Sequence, residues 1–316
     1  YYTQGLKQEE IAKRVSVSRS SISLILSEAK EWGVVDIRIR DPRENNVSMA
    51  KEFESRFGLK QCIVLPTKVR EPDYLMHMVA QRAVSVFNEV VRSSDTVGIA
   101  WGRTCYEFMH QCTECYLESG QMKIVPLLGS SNRSIKVYQM NEVVRQFADK
   151  VKGKAYFIHA PVFPPDMKDF LLYWDSSSMN VIKGLWDQMD IAIVSIGAPP
   201  TQYADNVAEI IENGQTKANA IRERAVGDIC GRFFDIEGNF IEDDIFRTTI
   251  AIPVDSLRKA KTCICVVTGE QKTTSILGGL RTDLIDILVT DEGTAGRVLA
   301  TLDSRPASTT EVLPGS

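Results

Sequence analysis

The chain has 316 residues, 44% of them hydrophobic, and a net charge of −4. That length and composition predict a globular protein with one large and one small domain, and the acidic balance excludes a protein that coats nucleic acid throughout. No apolar run reaches the ~18 residues of a membrane span, and no basic-then-apolar start with a cleavage site is present, so neither membrane nor export is expected. Seven cysteines, an odd number in a long chain, predict reduced thiols and a cytoplasmic location. The chain begins at Tyr1 rather than Met, so part of a native N-terminus is expected to precede it.

The first forty residues carry seven basic and five acidic side chains, which leaves the rest of the chain clearly acidic. Leu6 to Val15 reads as a short amphipathic helix with Ile11, Ala12 and Val15 on one face. Ser16-Val17-Ser18 interrupts it, and Ser18 is placed to cap a second helix running to about Trp32. The apolar stripe of that helix is Ile22, Ile25 or Leu26, and Ala29, with Gly33 as its stop. Val34 to Arg40 then alternates like a strand. Two helices joined by so short a turn predict a helix-turn-helix unit. Ser16 stands where glycine is common, because positive φ costs glycine little. With the core assigned, Ser18, Arg19, Ser20, Ser21 and Ser23 remain at the start of the second helix as candidates for base or phosphate contacts, and Gln8 for a backbone contact. DNA is therefore the expected partner of residues 1–40.

Asp41 to Asn46 is polar, contains a proline and breaks periodicity, so 41–46 is predicted as a linker. Val47–Phe57 reads as a helix stopped by Gly58, and Gln61–Leu65 as a strand. Further short apolar runs follow at Thr96–Ala100, Lys123–Leu128, Ala155–His159, Ile191–Ile196, Thr262–Thr268 and Ile287–Thr290. Runs without alternation suit parallel strands buried on both faces, which predicts a doubly wound α/β domain over 47–304. The polar residues 305–316 are expected to form a flexible tail.

In that architecture ligands sit at the carboxyl ends of the strands. Several strands end in small or polar residues: Gly102-Arg103-Thr104, Gly129-Ser130-Ser131-Asn132, Gly197-Ala198 and Gly269-Glu270-Gln271-Lys272. A glycine-bearing loop at a helix start offers backbone N–H groups to an anion. Arg103 and Lys272 add positive charge, and Thr104 and Ser130 add hydroxyls. A phosphate with sugar hydroxyls would suit them, although ordinary strand-to-helix turns look the same. Neither a Walker loop nor a GxGxxG is present.

The chain resembles SorC/DeoR-type sugar-responsive transcriptional regulators over nearly its whole length. The segments that carry the resemblance are Gln8–Ala12, Ser18–Ser23, Phe57–Leu59, Val97–Thr104, Ile193–Ala198, Ala225–Asp235, Gly269–Lys272 and Leu288–Ala295. It implies a winged helix-turn-helix head and an effector domain like glucosamine-6-phosphate deaminase and ribose-5-phosphate isomerase. It also implies a phosphorylated sugar or polyol effector, a homotetramer or dimer of dimers, and control, as a repressor, of a carbohydrate catabolic operon. Effector contacts would fall at Gly102, Arg103, Thr104, Gly129, Ser130, Ser131, Asn132, Asp228 and Lys272, with Asp228 accepting from sugar hydroxyls. Two departures matter. Leu24 stands where the family often has a basic residue, which shifts readout to Arg19 and the serines. Leu128 stands where some relatives hold a lysine able to form a Schiff base, which leaves reversible binding.

An isomerase or deaminase is the alternative, with Asp228 and Glu270 as its possible carboxylates, but no second clear acid–base partner accompanies them, so no catalytic residue is expected. Cys105, His110, Cys112 and Cys115 cluster, with Cys112 and Cys115 as a CxxC. One CxxC without a second reads as scattered helical thiols, so no metal or cofactor is expected.

Overall fold

The computed structural model describes residues 6–31, 45–66, 68, 71–112, 121–131, 139–198, 219–242 and 247–304. The chain divides into two compact units, residues 1–42 and 43–316. The expected strand 34–40, most of the expected linker, Cys115, Asn132 and the tail 305–316 lie outside the described residues.

The first unit contains α1 (Gln8–Arg14) and α2 (Arg19–Glu31). Glu10 begins α1 by accepting the Lys7 backbone N–H at 2.9 Å. Ser18 caps α2 as its position suggested, its hydroxyl accepting the Ser21 N–H at 3.0 Å. Ala12 and Ile22 are the buried residues of this pair. One stripe assignment, Val15, is corrected, and the alternative of Ile25 or Leu26 falls to Leu26. Val15 is 56% and Ile25 53% exposed, and Leu26, half-buried, takes the inward place instead. Val15 has left α1 because the chain reverses there. Ser16 adopts φ +56°, and the Val17 N–H returns to the Ala12 carbonyl at 3.0 Å. This is a helix stop usually given to glycine, here carried by serine.

The second unit begins with α3 (Val47–Phe57), β1 (Gln61–Leu65), α4 (Pro72–Val90), β2 (Thr96–Ile99), α5 (Arg103–Gln111), β3 (Lys123–Pro126), α6 (Met140–Lys150) and β4 (Lys154–Ala155). Then follow α7 (Met167–Trp174), α8 (Ser177–Trp186), β5 (Ile191–Val194), α9 (Asn219–Arg224), β6 (Gly227–Ile229), β7 (Arg232–Phe234) and α10 (Val254–Arg258). The chain continues through β8 (Thr262–Val266), a single 3-10 turn (Glu270–Lys272), α11 (Thr273–Leu280), β9 (Ile287–Asp291) and α12 (Glu292–Ser304). Asn46 caps α3 through the Met49 N–H, and Gly58 ends it at φ +66°. Asn45 and Asn46, expected in the linker, instead bond to Val64 of β1 at 2.9 and 2.8 Å.

Seven parallel strands form one sheet in the order β1-β9-β8-β5-β2-β3-β4. The apolar runs are buried on both faces, as unbroken Val/Ile strands require. Gly98 in β2 leaves room for the ends of two side chains, since a Cβ there would lie 2.4 Å from both Leu127 Cδ2 and Met189 Sδ, which would have to shift. On the helical layer Phe87, Phe108 and Phe147 join α4, α5 and α6 through ring contacts of 5.6–5.9 Å.

Two strand expectations are corrected. The run at 155–159 pairs as a strand only at Lys154–Ala155. Farther along, the Asn141 side chain replaces a neighbouring strand, donating to the Ile158 carbonyl and accepting its N–H. The antiparallel hairpin β6–β7 was not anticipated. Its two-residue turn, Cys230-Gly231, has φ +54° and +71°. Positive φ at both positions matches the twist of a tight hairpin, but cysteine first gives no sequence signal for it.

Candidate functional site

The chain order reverses between β2 and β5: β3 and β4 extend one way from β2, while β5, β8 and β9 extend the other. The loops leaving β2 and β5 therefore diverge at their carboxyl ends and open a crevice. A cleft of about 650 Å³ lies there. Its lining includes Trp101–Thr104 after β2, Ser195–Ala198 after β5, Thr268–Lys272 after β8, Asp291 and Thr294 after β9, and Asp228 and Cys230 of the hairpin.

Each wall has a local cause. Gly102 precedes α5 at φ +109°, a backbone state costly for any side chain. Its carbonyl starts the helix by accepting the Tyr106 N–H at 2.9 Å, and the residues at this helix start, Gly102, Arg103 and Thr104, line the cleft. Lys272 is carried by the 3-10 turn, and its Nζ donates to the Ile196 carbonyl at 3.0 Å. That bond ties the loop after β8 to the loop after β5. Asp291 organises the far wall, accepting from the hydroxyls of Thr268 and Thr294 at 2.6 Å each. Thr294 Oγ1 in turn accepts the Gly269 N–H at 2.9 Å.

Asp228 is buried at the floor. Its Oδ2 accepts the Gly231 N–H at 3.0 Å across the hairpin turn. Burial pushes this carboxyl upward from its ordinary range, partly offset by the Gly231 N–H and by the positive charge of Lys272. Burial likewise pushes Lys272 down, and Asp228 partly offsets that shift. Gly197 packs against this carboxylate so closely that a Cβ would sit 1.8 Å from Asp228 Oδ1. The Ser195 hydroxyl, also at the cleft, is buried without a hydrogen-bond partner. Cys62, Cys105, Cys112, Cys230, Cys263 and Cys265 are buried, and desolvation pushes Cys105 up to about 12, which makes it an unreactive core thiol.

Five of the expected effector residues, Gly102, Arg103, Thr104, Asp228 and Lys272, meet in this cleft. Gly129, Ser130 and Ser131 do not line it. The Ser130 N–H donates to the Ala160 carbonyl, its carbonyl accepts the Val162 N–H, and Gly129 donates to Ile250. A Cβ on Gly129 would lie 2.7 Å from the Ala160 oxygen, so this glycine serves backbone packing. Sequence reasoning missed Ser195, Thr268, Asp291 and Thr294 and the first turn of α4, whose Pro72, Leu75 and Met76 complete the lining. The rule that ligands gather at strand carboxyl ends pointed to the first four. Nothing in the sequence pointed to α4. Glu270, a possible catalytic carboxylate, lines the cleft but is held by Arg297 Nε at 2.7 Å.

In the first unit, Arg19, Ser20 and Ser23 are exposed, while Gln8 and Ser21 are partly covered. Ser18 is occupied in capping, and its Oγ also lies 2.7 Å from Ser20 Oγ and 2.8 Å from Ser21 Oγ. The Arg19 guanidinium lies 3.7 Å from Glu9. Leu24 is 60% exposed. Among the described residues no helix is long and apolar enough to cross a membrane, and no group of ligating side chains could hold a metal ion.

Residues 41–300 match the family model described as "Putative sugar-binding domain". The chain is 27% identical to the sorbitol operon regulator of Klebsiella pneumoniae, covering 95% of each. It is 28% identical to the deoxyribonucleoside regulator of Bacillus subtilis (strain 168), covering 93% of each. The crystal structure of the full-length K. pneumoniae regulator SorC superposes with a TM-score of 0.76 at 26% identity over 95% of both chains. These relatives are regulators, not enzymes.

Proposed function

Since the chain belongs to this sugar-binding-domain family, we propose that it is a DNA-binding transcriptional regulator, a repressor of a carbohydrate catabolic operon, whose large unit reversibly binds a phosphorylated sugar or polyol. One observation carries the effector reading: the glycine-started N-terminus of α5, with Arg103 and Thr104, shares a cleft with Asp228 and Lys272. A phosphate suits the first group, since helix N–H groups and a guanidinium favour an anion. Hydroxyls suit the second, the buried Asp228 carboxylate with the half-buried Lys272 ammonium and the unpartnered Ser195 hydroxyl. Gly129, Ser130, Ser131 and Asn132 have no part in this reading of the site.

The DNA contacts are assigned to α2, through Arg19, Ser20 and Ser23, with Ser21 beside them, Ser18 holding the helix start and Gln8 on the backbone. Assembly into a tetramer or dimer of dimers and a cytoplasmic location belong to the same reading, as does a winged form of the head. A thermal-shift screen of the full chain against paired phosphorylated and free sugars and polyols tests it. Phosphorylated members should raise the melting temperature, and their free counterparts should not. Absence of any phosphate-dependent shift would sink the effector assignment, and turnover of any compound, followed by NMR, would sink the regulator reading.

A further inference from the structure

The anion cradle at α5 already holds a carboxylate from within the chain. The Arg103 guanidinium is ion-paired with Asp73, in the first turn of α4. Beside it, Thr104 Oγ1 lies 3.9 Å from Met76 Sδ of the same turn. Both cradle side chains are thus engaged by one helical turn, and Pro72, Leu75 and Met76 of that turn line the cleft. Glu71 fixes the turn by accepting the N–H groups of Asp73 and Tyr74 at 3.2 and 2.6 Å.

We propose that Asp73 is a built-in counter-anion of the effector site, so that an anionic ligand enters the cradle by taking Arg103 away from it. The inference rests on the effector reading above and deepens it by naming the residue that an anionic ligand must displace from Arg103. A neutral polyol has no charge with which to compete for the guanidinium. A sugar acid exchanges one carboxylate for another and gains little. A phosphate monoester brings ~1.5 to 2 negative charges and three acceptor oxygens, and it also meets the N-terminus of α5. Asp73 therefore sets a displacement cost that every anion meets and a free polyol does not, and a phosphate ester recovers that cost through its second charge and the N-terminus of α5. The exchange also removes one contact between the first turn of α4 and α5, a contact that then differs between the empty and filled states, as any ligand-driven shift requires.

Arg103 and Asp73 are 58% and 73% exposed, so their pair is a weak competitor. Its removal should tighten anion binding by about two- to fivefold, the range of an exposed ion pair. The test is calorimetric titration of the full-length wild type, Asp73→Asn and Asp73→Glu with glucitol 6-phosphate, inorganic phosphate and free glucitol. The Asp73→Asn protein should bind the two phosphate-bearing probes about two- to fivefold more tightly, with glucitol unchanged and Asp73→Glu like the wild type. Equal phosphate affinity in all three proteins overturns the role of Asp73 and leaves the effector site standing. Tightening that extends equally to glucitol also overturns it, because a charge competitor cannot act on a neutral compound. No binding of either phosphate probe by any of the three removes the site, and the inference with it.

Discussion

Gly197→Ala is the sharpest probe of how the floor of the cleft is built. A Cβ there would stand 1.8 Å from Asp228 Oδ1 and 2.9 Å from its Cγ, whereas real Cβ atoms essentially never approach closer than 3.0 Å. The carboxylate must therefore retreat by more than 1 Å. Its other oxygen is 3.0 Å from the Gly231 N–H, and a retreat of that size breaks the bond. A buried hydrogen bond to a charged acceptor contributes about 1.5–3 kcal/mol, and forcing a methyl into a packed site costs about 1–3 kcal/mol. The substitution should thus cost about 2.5–6 kcal/mol in urea denaturation of the full chain. Effector binding should fall with it, since Asp228 lines the cleft. The double substitution separates this cause from general damage. With Asp228→Ala in place the clash is gone, and Gly197→Ala should then cost less than about 1 kcal/mol, a strongly non-additive pair. A single-variant cost within about 0.5 kcal/mol, or simple additivity in the double variant, would refute the account.

Ser16→Gly should stabilise the first unit. Ser16 holds φ +56°, where an L-residue costs about 1–2 kcal/mol, against about 0.5–1 kcal/mol of added chain entropy for glycine. Amide exchange at α1 should slow by a few-fold, and unchanged or faster exchange would contradict the strain. Asp228→Asn should alter the pH dependence of stability. The folded-state pKa of Asp228 is raised by burial, so the native state binds the proton more tightly than the unfolded chain. Its contribution is then most favourable below the ordinary carboxylate value and is lost as pH rises toward the raised value. The stability of the wild type relative to Asp228→Asn should fall over that window, and a difference that grew with pH would show the sign to be wrong.

The sheet was legible because its strands are unbroken apolar runs, and only burial on both faces explains such runs in an otherwise polar chain. The Lys154–Ala155 strand shows the limit. Residues 156–159 are as apolar as the others, but the bonds to Ile158 come from Asn141. A side chain that substitutes for a strand leaves no periodic signal. The glycine-bearing loops were legible as a class, not as a site. Gly102 and Gly129 both end strands, yet Gly102 starts a helix at the cleft and Gly129 admits the 160–162 backbone. Only the partner segments distinguish them, and these lie far off in sequence. Ser16 and Cys230 hide in a related way, since both hold a positive φ without being glycine.

The site depends on four strand ends and one hairpin meeting at the point where the sheet order reverses. β2 supplies the helix start with Arg103, and β5 supplies Gly197, whose missing side chain makes room for Asp228. The hairpin enters the chain between β5 and β8, so Asp228 reaches the floor only because Gly197 donates its N–H to the Asp228 carbonyl at 2.9 Å. Lys272 then closes the circuit from β8 to the Ile196 carbonyl of the β5 loop. The loops after β5 and β8 and the hairpin are thus tied to one another at the floor. A ligand that bridges Arg103 and Asp228 must join the loop after β2 to the loops after β5 and β8, which leave the sheet on opposite sides of the reversal. The first turn of α4, held at Arg103 by Asp73, would lose that contact when an anion takes the guanidinium.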